Sequence, residues 1–118
     1  MILRPVVNVF YFSDRLDEAV GWYTELLGAA PTEVRTQLAM FDVGQARLTI
    51  HVADEFNRAA GVHRSVAYWD VDDVDDLVAG CVRLGGVAHR GPKTIFSGER
   101  LAQVLDPFGN LLGFRQAP

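Results

Sequence analysis

The sequence predicts an α+β fold built from two tandem βαβββ modules. Three observations lead there. Two stretches with helical apolar spacing each follow a β-branched and aromatic run and close on Leu-Gly. Further short β-like runs come after each of them. A shift of about 57 positions then overlays the halves, placing Leu27-Gly28 on Leu84-Gly85, Asn8 on Ser65 and Phe12 on Trp69. Each module supplies a curved mixed sheet whose apolar face needs cover, and the concave space between modules is a natural ligand pocket.

Val6 to Phe12 is the first predicted strand, rich in Val, Phe and Tyr. Ser13 or Asp14 then caps a helix whose buried stripe is Leu16, Ala19, Val20, Tyr23, Leu26 and Leu27. Gly28 stops it and Pro31 reinforces the stop. Trp22 falls off that stripe and is a candidate subunit contact. Thr36–Val43 and Ala46–Val52 read as strands joined by a Gly44-Gln45 hairpin turn. Ser65–Val71 is a fourth strand. Asp72 or Asp73 caps a second helix, with Val74, Leu77, Val78, Cys81 and Leu84 on one face and Gly85-Gly86 after it. Val87–Arg90 reads as a short strand. Leu101–Leu105 and Leu111–Arg115 are late strands joined by the turn DPFGN, in which Asp106 bonds the turn backbone. The expected layout is one domain, 1–118, with module 1 over about 4–53, a linker over about 54–63 and module 2 over about 64–116.

Composition narrows the function. At 118 residues, 49% hydrophobic and 22% charged, the chain is an ordinary globular domain with a real core. Its net charge is −4 and it has no basic run, which argues against nucleic acid as a partner. One cysteine, Cys81, excludes an internal disulfide and a multi-cysteine zinc site, and its place on an apolar helical face predicts core packing. No apolar run approaches a membrane span and no signal core opens the chain, so a cytoplasmic protein without membrane contact is expected. The acidic cluster Asp72, Asp73, Asp75 and Asp76 reads as helix capping and solvated surface rather than a metal site.

LDEAVGWYTELLGA in the first half, DVDDVDDLVAGCVRLGG in the second and DPFGNLLGF near the end occur in an order that resembles the vicinal oxygen chelate superfamily. That superfamily includes glyoxalase I, extradiol dioxygenases, fosfomycin-resistance proteins and bleomycin-binding proteins. The resemblance spans nearly the whole chain and implies paired βαβββ modules and a homodimer.

Metal-using members of that family draw four ligands from His, Glu and Gln, the hard donors a divalent ion needs. Carried over position by position, the first falls on Asn8, or on Val7 with a one-residue shift. The second falls near Thr49, with His51 on the same face. The third falls on Ser65 or Val66, with His63 slightly earlier. The fourth, a Glu in the last strand, falls on Gly113. His51 is thus the one strong donor kept, and no metal or other cofactor is expected. A site from His51, His63 and Glu99 has no spacing pattern behind it. His63 and His89 read as solvated, and Glu99-Arg100 as an exposed charge pair.

Without a metal the pocket binds by shape, stacking and a few hydrogen bonds. The resemblance in character is therefore to the metal-free antibiotic-binding members. The expected ligand-binding residues are Asn8, Phe10, His51, Trp69, Gln103 and Gly113, with Gly113 leaving room for a bulky planar or aromatic small molecule. Phe12 shares a face with Asn8 and Phe10, and Ser65 and Ala67 share one with Trp69. Phe41, Phe96 and Phe108 are candidates for the wall or rim. Phe10, Phe12 and Phe41 also fit a sheet–helix core, and both readings stand. No catalytic residue is assigned. The alternative is a metal-dependent lyase, isomerase, transferase or dioxygenase acting on vicinal oxygens. A metal-free enzyme with His51 as acid–base is a third reading.

Overall fold

The computed structural model describes residues 1–63 and 65–118. Its elements run β1 (Asn8–Ser13), α1 (Leu16–Leu27), β2 (Glu33–Val34), β3 (Leu38–Val43), β4 (Ala46–Val52), a 3-10 turn (Gly61–His63), β5 (Tyr68–Asp70), α2 (Val74–Arg83), β6 (Val87–Thr94), β7 (Arg100–Leu105) and β8 (Leu111–Gln116). The βαβββ order therefore occurs twice, as expected. The strands form two open four-stranded sheets, ordered β1-β4-β3-β2 and β5-β8-β7-β6. In each, the first strand pairs parallel with the last and the other pairs are antiparallel. The chain divides into two compact units, Met1–Ala59 and Ala60–Pro118.

In module 1, period-two alternation sends Tyr11 and Ser13 to the helix side of β1 and Asn8, Phe10 and Phe12 to the other side. Tyr11 stacks on Tyr23 of α1 with ring centroids 5.9 Å apart. Ala39, Phe41, Leu48 and Ile50 complete this core and are at most 2% exposed. Phe41 is thus core and not a pocket wall. Trp22 differs from expectation: it is buried and meets Tyr23 edge-on, with centroids 4.8 Å apart. The buried arc of a helix laid on a sheet is wider than the Leu-rich stripe alone. Ser13 does not cap α1; its hydroxyl accepts the Arg15 N–H at 2.9 Å, and Arg15 itself stands at the N-cap without a side-chain cap bond. The helix stops as expected at Gly28, whose φ is 66° and whose N–H reaches the Thr24 carbonyl.

In module 2, Asp73 caps α2 by accepting the Asp76 N–H at 3.0 Å, and the Gln116 side-chain oxygen accepts the Val74 N–H at 2.8 Å. Asp75 binds Arg100 through two short bonds, so the acidic cluster caps and pairs. Val74, Val78 and Cys81 are buried on the sheet face that carries Ala102, Val104 and Phe114. Burial pushes the Cys81 thiol up to about 11. The buried Asp106 carboxylate accepts the N–H groups of Phe108 and Asn110 and the Asn110 side-chain amide, which locks the turn before β8.

Several boundaries differ from expectation. β5 is only Tyr68–Asp70, though the Gly113 N–H also bonds the Ala67 carbonyl. β6 runs on through Gly91-Pro92 to Thr94, past the Arg90 end expected for it. β3 starts at Leu38, and Glu33–Val34 adds a short edge strand. Among the described residues no helix is long and apolar enough to cross a membrane.

Candidate functional site

The helix-free face of the module 1 sheet gathers the residues expected there. The β1–β4 register sets Asn8 opposite Arg47, Phe10 opposite Thr49 and Phe12 opposite His51. Phe10, Phe12 and His51 form a ring cluster with centroid separations of 6.2–6.3 Å. Phe10 is 46% exposed, which is unusual for a phenylalanine in mid-strand and leaves an apolar ring face available. The buried Thr49 hydroxyl donates to the Asn8 Oδ1 at 2.9 Å. His51 Nδ1 lies 2.7 Å from the Val52 carbonyl. A carbonyl only accepts, so Nδ1 is the nitrogen that carries a proton there, and Nε2 points away from this bond.

Module 2 differs from expectation at two positions. β5 pairs Tyr68 with Gly113 and Trp69 with the buried Phe114. Trp69 therefore stands on the helix side of its sheet, and Tyr68 takes the face shared with Gly113 and Gln103. The repeat overlay was one residue out of step: Tyr11, not Phe12, is the counterpart of Trp69. A one-residue slip moves every side chain of a strand to the other face.

The second difference is the space at Gly113. A Cβ there would lie 2.7 Å from Tyr68 Cδ1, 2.8 Å from the Ala67 carbonyl oxygen and 2.8 Å from Val66 Cγ1. The chain's own atoms occupy the room that the sequence assigns to a ligand. Gln103 donates its side-chain N–H to the Tyr68 hydroxyl at 2.7 Å, which pins the ring across the glycine.

The same geometry tests the four metal positions. Asn8 and Thr49 are neighbours, but both are neutral and bonded to each other. Val66 rather than Ser65 leans on Gly113, and neither Val66 nor Gly113 has a side-chain donor. Among the described residues no group of three or more His, Cys, Asp and Glu side chains is placed to hold an ion. This donor set does not fit a divalent metal. Glu99 is engaged elsewhere: the Arg115 guanidinium and then the Ser97 hydroxyl bond its carboxyl and hold it below the usual carboxylate range. His63, His89 and Phe96 are exposed.

Tyr68, Arg90 and Lys93 are absent from the sequence-based site. With Ile95, Leu101 and Gln103 they line a cavity of about 280 Å³ on the helix-free face of the module 2 sheet. Only the signal of a glycine beside cationic residues in an edge strand pointed there, and it also fits a loop.

The sequence model of the Glyoxalase/Bleomycin resistance protein/Dioxygenase superfamily matches residues 6–114. No curated protein matches the sequence. Among solved structures, the chain is similar to a glyoxalase/bleomycin resistance protein/dioxygenase family enzyme from Burkholderia phytofirmans PsJN, at 18% identity over 98% of this chain and 100% of that one, with a TM-score of 0.81. It is similar to a glyoxalase/bleomycin resistance protein from Catenulispora acidiphila DSM 44928, at 24% identity over 98% and 100%, with a TM-score of 0.72. It is also similar to lactoylglutathione lyase from Agrobacterium tumefaciens, at 20% identity over 97% and 94%, with a TM-score of 0.72. At such identities these likenesses concern the fold. The match over residues 6–114, with the doubled βαβββ order beneath it, shows that the chain belongs to the glyoxalase/bleomycin resistance protein/dioxygenase superfamily.

Proposed function

We propose that this chain binds a planar or aromatic small molecule, of the kind bleomycin-type antibiotics present, without a metal. The observation that carries the reading is the Phe10–Phe12–His51 ring cluster on the helix-free face of module 1, with Phe10 half exposed. A rigid ring with an exposed face, such as that of Phe10, gains stacking contact at little entropic cost, each good contact contributing about 0.5–1.5 kcal/mol. The buried Thr49 hydroxyl holds the Asn8 Oδ1, which turns the Asn8 side-chain N–H groups toward a ligand on that face. Tyr68, Val66 and Gly113 support the metal-free half of the reading, because they leave no carboxylate or imidazole where metal-using relatives carry them.

A metal-dependent or acid–base enzyme is the second reading. One observation favours it: the Val52 carbonyl sets the His51 tautomer so that Nε2 is the basic, ligating nitrogen. The test is elemental mass spectrometry of untagged protein offered Ni, Zn, Mn and Fe and then dialysed, followed by calorimetric titration with bleomycin. No retained metal together with saturable bleomycin binding supports the first reading. Stoichiometric metal, lost in a His51→Ala variant, overturns it in favour of the second.

A further inference from the structure

We propose that module 2 carries an oxyanion pocket, built by Arg90, Lys93 and Tyr68, that takes the carboxylate of a small organic acid. The proposal is independent of the aromatic reading of module 1.

The backbone brings the two cations together. In a regular strand, residues 90 and 93 point to opposite faces. Here Arg90 pairs with Gln103 and Lys93 with Leu101, so three steps along β6 match two along β7. The extra residue is a bulge at Gly91, which puts Arg90 and Lys93 on the same face as Gln103, Gly113 and Tyr68. Gly91 has φ 71°, and a Cβ on it would lie 2.5 Å from the Leu101 carbonyl oxygen, so a side chain at this position is excluded. Bulges of this kind re-aim side chains beside binding sites.

The charge pattern is local and one-signed. The chain as a whole carries −4, yet the cavity lining holds two cations and no carboxylate. Neighbouring acids are already engaged, Asp75 with Arg100 and both Glu99 and Asp70 with Arg115. Arg90 and Lys93 enter no ion pair among the described residues. The Tyr68 hydroxyl accepts the Gln103 N–H, which leaves its own proton to donate. A guanidinium fork, an ammonium and a hydroxyl donor converge on one space, a set suited to a carboxylate. Ile95 and Leu101 give that space an apolar wall for the organic part of the ligand. At about 280 Å³ the cavity is at the small end of ligand pockets.

The test uses the full chain, 15N-labelled, titrated with benzoate and with neutral benzamide and followed by amide chemical shifts. The expected result is saturable benzoate shifts centred on residues 90–95 and 101–103, with benzamide weaker by about tenfold, the scale of a charge-assisted contact. The R90Q/K93Q variant, altered only at exposed positions, keeps a dispersed spectrum and loses about tenfold in benzoate affinity. Should it not fold, R90Q, K93Q and Tyr68→Phe, each weakening benzoate several-fold, carry the test. Inorganic phosphate at equal ionic strength shifts the same amides more weakly, having no apolar part to place on Ile95 and Leu101. The proposal is overturned by benzoate shifts that never saturate or that centre on module 1, by equal binding of benzamide, by variants that bind benzoate like the native chain, or by phosphate binding more tightly than benzoate.

Discussion

The ring of Tyr68 occupies the space that a side chain on Gly113 would need, with Tyr68 Cδ1 only 2.7 Å from where the Cβ would stand. Gly113 is therefore glycine because a neighbouring strand closes over it. At the position where the sequence resemblance implies a metal-binding Glu, an internal contact between a tyrosine and a bare backbone fills the space.

Gly113→Ala is expected to destabilise the fold by about 1–3 kcal/mol, the usual cost of overpacking. Urea denaturation reads this directly. Adding Tyr68→Ala recovers only part of the loss, because the Ala67 carbonyl, which is backbone, stands 2.8 Å from the same point. An unchanged midpoint for Gly113→Ala would mean that Tyr68 and Val66 withdraw easily and that the space is open to a ligand after all.

Phe10→Ala and Phe12→Ala are each expected to weaken binding of a planar aromatic ligand by about 1 kcal/mol or more. Trp69→Ala is expected to leave that affinity unchanged and instead to lower stability by about 2 kcal/mol, since Trp69 lies beside Phe114 on the helix side of its sheet. Parallel calorimetric and denaturation series separate the two effects. Loss of affinity on Trp69→Ala alone would return Trp69 to the site.

Acid sensitivity has a definite sign. The Arg115 guanidinium, foremost, holds the Glu99 carboxyl below its ordinary 4.5. Arg100 likewise holds Asp75 below 3.8. A depressed folded-state pKa stabilises the fold fully above the ordinary value, and that contribution fades as pH falls through the depressed one. Urea midpoints are thus expected to decline below about pH 4.5, modestly because both pairs are solvent-accessible. Glu99→Gln should make that decline shallower. A variant curve running parallel to the native one would remove Glu99 from the acid response.

Cys81 is expected to resist alkylation. Fully buried, with its thiol pushed up to about 11, it presents almost no thiolate at neutral pH. Mass spectrometry after iodoacetamide treatment at pH 8 should find native protein unmodified and urea-unfolded protein fully labelled. Rapid native labelling would indicate that α2 opens locally.

Much of this molecule was legible as sequence because local rules dominate there. The Leu-rich spacing of α1, the stop at Gly28, the Asp73 cap and the Asp106-centred turn each depend on residues within a few positions of one another. The face shared by Asn8, Phe10 and Phe12 followed from period-two alternation. Trp69 was misplaced because register between two distant strands, a non-local quantity, is what assigns its face. Arg90 and Lys93 were missed because their juxtaposition requires an extra residue in β6 that only the pairing with β7 reveals. The chain by itself determined its modules and its turns, since these are matters of short-range pattern and residue type. Tertiary pairing alone decided that Tyr68 covers Gly113 and that two cations share a pocket, because both depend on which strands become neighbours.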